Sequence, residues 1–84
     1  MDTLPVIASF GEVLWDLFPG REAIGGAPLN VAAQLGQLDY PVQLISRIST
    51  DERGQGILSL CRDRNIGIEG LIINDELPTG IVEV

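Results

Sequence analysis

Histidine is absent from this chain of 84 residues, and cysteine occurs once, at Cys61. Without an imidazole to take its proton, Cys61 lacks the base partner that nucleophilic catalysis needs. A lone cysteine closes no internal disulfide, and its place in an apolar helical pattern suits a buried thiol in a reducing cytoplasm. Long hydrophobic runs are missing too. Although 45% of residues are hydrophobic, charge breaks every run well short of the ~20 residues of a membrane span. Met1-Asp2-Thr3-Leu4 has no basic flank or cleavage region, so no secretory leader is expected. Positive charge is scarce: five basic residues face twelve acidic ones, for a net charge of −7. Nucleic acid is therefore not an expected partner, since phosphate binding needs clustered Lys and Arg. Arg47, Arg53, Arg62 and Arg64, interleaved with Asp51, Glu52 and Asp63, read as solvated helix ends and faces.

What is present alternates in period. Val6 to Phe10 reads as a buried strand, apolar except for Ser9, and Glu12 to Phe18 as a second extended stretch ended by Pro19-Gly20. Pro28 to Leu38 has a helical pattern, Val42 to Ile48 is a strand, and Asp51 or Glu52 to about Arg64 is a second helix. Ile57, Leu60, Cys61 and, after a stop at Asn65, Ile66 form its apolar face. Gly70 to Ile73 and Gly80 to Val84 read as strands, separated by the polar loop Asn74 to Pro78. Strand, helix, strand, helix, strand implies an α/β fold with a parallel sheet and right-handed crossovers. No internal repeat, low-complexity tract or interdomain linker is visible.

The run Gly25-Gly26-Ala27-Pro28-Leu29-Asn30-Val31-Ala32 joins a glycine turn to a helix start. Pro28 suits the first helical position, where its missing N–H costs nothing, and Ala27 is then the cap. Alanine has no side-chain oxygen for the free N–H groups of that turn, so they need water, another segment or a ligand oxygen. Asn30 lies in the same turn, where its amide reaches the space around the N–H groups of Gly26 and Ala27. Asn30, Gln34 and Gln37 also make one polar stripe, which is equally read as a solvated face. Leu29, Val31, Ala32, Ala33, Leu35, Gly36 and Leu38 leave the rest of this helix apolar, which implies burial by more protein than this chain contains. In the stretch from Glu12 to Phe18, Glu12, Leu14, Asp16 and Phe18 share one face, and Val13, Trp15 and Leu17 the other. Trp15 is read as core or subunit contact, with sugar stacking disfavoured because its face is opposite to the carboxylate's, and Asp16 either as a ligand-binding carboxylate or as a strand-end charge facing water.

Taken in order, Phe10-Gly11-Glu12-Val13-Leu14-Trp15-Asp16, the diglycine helix start, and Pro78-Thr79-Gly80 before an alternating strand resemble the N-terminal part of the ribokinase-like (phosphofructokinase-B type) carbohydrate kinases. Among these the chain is most similar to the fructokinase type. Two positions depart from the pattern: Asp39 stands where a glycine-like residue is usual, and Ser49-Thr50 where Gly-Asp is usual. The resemblance implies a ribokinase-like fold in which the stretches Glu12 to Phe18 and Gly80 to Val84 belong to a small lid sheet. It implies that Asp16 and Asn30 bind sugar hydroxyls, that Gly25 and Gly26 shape the pocket, and that residues 1–84 are the N-terminal portion of a kinase domain. It also implies transfer of the ATP γ-phosphoryl group to a sugar hydroxyl with Mg²⁺, the catalytic base and nucleotide site lying in the C-terminal part. No catalytic, cofactor-binding or metal-binding residue is expected here, and no ATP or Mg²⁺ binding by this chain alone. Homodimerisation through the lid strands is a further implication. A non-catalytic sugar-binding or interaction module of the same fold is the alternative. A nucleotide-binding α/β domain of another family is disfavoured, because the diglycine turn lacks the G-x-G-x-x-G spacing.

Overall fold

Residues 6–84 are described by a computed structural model; the Met1 to Leu4 reading lies outside them. Among the described residues six strands and two helices follow one another as β1 (Ile7–Phe10), β2 (Leu14–Phe18), β3 (Arg21–Gly25), α1 (Ala27–Gln37), β4 (Val42–Ile48), α2 (Glu52–Asp63), β5 (Leu71–Ile73) and β6 (Gly80–Glu83). They form two three-stranded sheets, ordered β1-β4-β5 and β3-β2-β6. The first is parallel throughout, with Ser9 opposite Leu44 and Arg47 opposite Ile72. Right-handed crossovers that step in one direction across such a sheet place both helices on the same face. The core lies there: Val42, Leu44 and Ile48 from alternate positions of β4 pack with Leu29, Ala32, Ile57, Leu58 and Cys61.

The second sheet is mixed. β2 pairs with β6 in parallel, so the two stretches share a sheet as the lid reading has it, and β2 pairs with β3 antiparallel. β3 is not foreseen by the sequence reading: Arg21-Glu22 carry charge where a strand core would be apolar, and Pro19-Gly20 reads as the end of a strand where the structure has a hairpin turn. Gly20 has φ 74, a conformation that glycine adopts without strain in such a turn.

The helix boundaries fall close to expectation, with local chemistry visible at each end. Asp51 caps α2 by accepting from the Gly54 N–H at 2.8 Å, as a carboxylate at that position should. Both helices end in Schellman turns. In α1 the Tyr40 N–H donates to the Leu35 carbonyl and the Asp39 N–H to that of Gly36; in α2 Ile66 and Asn65 bond likewise to Cys61 and Arg62. This motif needs a left-handed residue after the cap, and Asp39 (φ 62) and Asn65 (φ 58) supply it. The departure at Asp39 thus occupies a position whose backbone favours glycine.

Three expectations are corrected. The α1 cap is Gly26, not Ala27, and its φ of 108 and ψ of 134 lie where a side chain is strained. β1 is not buried: Phe10 is 80% exposed, and the buried residue is Ser9. β1 is an edge strand of its sheet, and only its Ser9 side faces α1, where the hydroxyl donates to the Pro28 carbonyl at 2.6 Å. Arg47 is not a solvated residue either; it is half-buried and ties down the loop after β5, donating to Asn74 Oδ1 at 3.1 Å and to the Leu77 carbonyl at 2.7 Å. Trp15 packs against the core, and Cys61 is fully buried, with burial pushing its thiol pKa up.

Candidate functional site

Of the residues singled out by sequence, Asp16, Gly25 and Gly26 lie where the hairpin β2–β3 runs into α1, while Asn30 opens on the hairpin's other side. β2 carries Asp16 opposite Ala23 of β3, and Leu14 opposite Gly25. Side chains alternate along a strand, so Asp16, Ala23 and Gly25 share one face, while Trp15, Ile24, Leu17 and Glu22 share the other. The half-buried Asp16 carboxylate lies against Gly25, in the space a Cβ there would fill.

Gly26 permits a second close approach. A Cβ on it would stand 2.5 Å from the Glu12 carbonyl oxygen and 3.2 Å from Val13 Cα. The segment from Gly11 to Val13 therefore passes directly beside the start of α1. Gly11 itself has φ 146, and a Cβ there would meet the Pro28 ring at 3.1 Å. Glycine at 11 and 26 lets two backbones touch, and this brings the exit from β1 and the α1 N-terminus into one locus. No side chain caps α1, so the N–H groups of its first turn stay available to a polar ligand.

Asn30 sits in that first turn, exposed, with its N–H bonded to the Gly26 carbonyl at 3.1 Å. It lines a groove of about 380 Å³ together with Trp15, Ile24, Leu29, Ala33 and Leu60. That groove opens on the Trp15 side of the hairpin, and Asp16 is not among its lining residues. The structure thus brings Asp16 to Gly25, and Gly26 to the base of α1, with Asn30 one turn along.

A larger cleft, of about 520 Å³, opens at the carboxyl ends of β1, β4 and β5, where parallel sheets characteristically receive ligands. Gly11, Glu12, Ile45, Arg47, Ile72 and Gly80 line it. A Cβ on Gly80 would stand 3.2 Å from Glu12 Oε1, so the Glu12 side chain lies against the first residue of β6. Among the described residues no group of three or more His, Cys, Asp or Glu side chains is placed to hold a metal ion, and no helix is long and apolar enough to cross a membrane.

Sequence reasoning missed a polar cluster beside this locus. Thr79 donates its hydroxyl to Asp51 Oδ1 at 2.6 Å and its N–H to Asp51 Oδ2 at 3.0 Å, while the Ser49 N–H donates to the Thr79 hydroxyl at 3.2 Å. Ser49 and Thr79 are buried. The bonds from Thr79, hydroxyl first, hold the Asp51 carboxyl below its ordinary value. The only signal in the sequence was a cap-type Asp51 and a Thr79 wedged between proline and glycine; nothing local says that they meet.

Residues 8–83 match the model of the pfkB family of carbohydrate kinases. The fold is shared with the fructokinase of Halothermothrix orenii, 31% identical over 96% of this chain and 33% of that one, with a TM-score of 0.89. It is shared equally with an uncharacterized sugar kinase of Pyrococcus horikoshii, 31% identical over 95% of this chain and 30% of that one, also at a TM-score of 0.89. A fructokinase of Zea mays is 26% identical over 94% of this chain and 27% of its own length. The chain thus spans only about three tenths of the length of the relatives it matches.

Proposed function

The chain belongs to the pfkB family of carbohydrate kinases, and from that premise we propose that it forms the sugar-binding part of a fructokinase-like enzyme. Such an enzyme moves the ATP γ-phosphoryl group to a sugar hydroxyl. The observation that carries the reading is the seating of the Asp16 carboxylate against Gly25, next to the uncapped start of α1. A carboxylate held this way accepts hydrogen bonds from two adjacent hydroxyls, and bonds to a charged acceptor are the strong ones. Asn30, in the same turn but opening on the Trp15 side of the hairpin, carries an amide that both donates and accepts, which suits a hydroxyl reaching past the start of α1. Gly25 and Gly26 keep the floor free of side chains. Phosphoryl transfer itself needs a base for the acceptor hydroxyl and a positive cradle for the phosphates with Mg²⁺. In this reading ATP and Mg²⁺ are held by other parts of the enzyme, and the residues described here bind and orient the sugar.

The test is a titration of the chain with D-fructose, followed by NMR. Shifts confined to Asp16, Gly25, Gly26 and Asn30, and lost in Asp16→Asn, are expected; shifts that persist in Asp16→Asn overturn the assignment. In a coupled assay the chain alone is expected to give no ATP-dependent sugar phosphorylation, and turnover abolished by Asp16→Ala would overturn the division of labour.

The buried, unpaired Cys61 supports a reducing cytoplasmic setting. Association of two copies through the second sheet is part of the same proposal. Ile81, Val82 and Val84 are 46%, 43% and 69% exposed along β6 and just past its end, at an edge with unpaired backbone groups of the kind that recruits another strand. Light scattering that stays at the monomer value up to high micromolar concentration would overturn it.

A further inference from the structure

Among the described residues the two sheets share no strand pairing, so other contacts set their relative position. The first turn of α2 reaches every strand of the second sheet. Asp51 binds both the N–H and the hydroxyl of Thr79, the residue that opens into β6. The Arg53 carbonyl accepts from Trp15 Nε1 of β2 at 3.0 Å, and the Arg53 guanidinium pairs with Glu22 of β3. The Trp15 ring also covers Gly56 one turn on, where a Cβ would stand 2.8 Å from the indole. Beside these contacts lies a groove of about 530 Å³ lined by Trp15, Glu22, Asp51, Glu52, Arg53 and Gly56. The sheet is therefore placed by the packing of Trp15 and Ile24 against the core together with these directed bonds, and on the β6 side the directed bonds lie beside open space.

We propose that Asp51 is a positioning residue of the sugar site: by holding Thr79 it seats the second sheet on the first turn of α2 and so fixes the Asp16-bearing face relative to the start of α1. Displacement of β6 moves β2 with it, because Asp16 is paired with Val82 across the ladder. The consequence for sugar rests on the reading of Asp16 given above; the seating does not. An ordinary helix cap uses only the bond from Gly54. The bonds from Thr79 are additional, and the one from its hydroxyl can be removed while the cap is kept.

Thr79→Val, Thr79→Ser and Asp51→Asn in the full chain separate these roles. In Thr79→Val, amide exchange in β6 through Val84 is expected to rise about tenfold, as for loss of a hydrogen bond to a charged acceptor, while Leu44 and Ile57 stay protected. Trp15, the single tryptophan, should move to longer emission wavelength in Thr79→Val and Asp51→Asn. Thr79→Ser, which keeps the hydroxyl, should restore both signals. The D-fructose concentration that half-saturates the NMR shifts should rise about tenfold in Thr79→Val and recover in Thr79→Ser. Unchanged exchange in β6, or a rise shared equally by β4 and α2, overturns the proposal. If the unaltered chain shows no fructose-dependent shifts, the sugar reading falls, and the exchange comparison still decides the seating.

Discussion

The Asp16 carboxylate fills the space into which a side chain on Gly25 would project. Gly25 is buried and does not have a positive φ, so alanine fits its backbone and the collision falls on the mobile end of Asp16. Gly25→Ala is thus expected to swing Asp16 aside and lower D-fructose affinity by about tenfold or more, as when a charged hydrogen-bond partner is lost. Unfolding free energy should change by less than about 1 kcal/mol. Calorimetric titration and urea denaturation of one preparation check both halves.

Gly26 should behave in the opposite way. Its added Cβ meets backbone, the Glu12 carbonyl and Val13 Cα, and its φ of 108 is unfavourable to any side chain. Neither neighbour is a flexible side chain that can turn away. Gly26→Ala is expected to cost about 2–4 kcal/mol of stability, read as a lower urea midpoint.

Asp51 makes stability depend on pH in a set direction. Its folded pKa lies below the ordinary value of an aspartate, chiefly because the Thr79 hydroxyl donates to the ionised form. A depressed carboxyl contributes fully above the unfolded value and loses that contribution as pH falls toward the folded one. The urea midpoint should therefore be flat above about pH 5 and fall as pH drops through 4 and below. Arg53, Glu52 and Glu22 border the same groove, so the comparison that isolates Asp51 is Asp51→Asn, whose acid limb should be shallower. An acid limb of unchanged steepness in Asp51→Asn would refute this attribution.

Asp39 offers a stabilising change. It holds φ 62 after the α1 cap, a conformation that costs most residues about 1–2 kcal/mol and glycine almost nothing. Against this stands the greater freedom glycine brings to the unfolded chain. Asp39→Gly is expected to gain about 0.5–1 kcal/mol net, visible as a higher thermal midpoint.

Much of the fold was legible because it is written in local patterns. β4 appears at its predicted bounds, and α2 lies within a residue of its own, since Asp51 and Asn65 carry the start and stop chemistry in their side chains. β3 was illegible because its exposed Arg21-Glu22 half has no apolar period, and it exists through pairing with β2. The exposure of β1 was illegible for a related reason. An apolar run states that a strand can be buried, and only the order of strands in the sheet states which one is at the edge.

The diglycine turn, the acid on an alternating stretch and the amide in a helix's first turn were read directly from the sequence, together with the family they resemble. These are properties of neighbours in the chain, where spacing alone constrains geometry. The contact of Asp16 with Gly25, the passage of Glu12 beside Gly26, the grip of Asp51 on Thr79 and the bond from Trp15 to Arg53 were decided only by tertiary structure. Each joins residues whose separation along the chain carries no geometric information, and each exists because two sheets and a helix pack so that close backbone approach and directed hydrogen bonds are satisfied together.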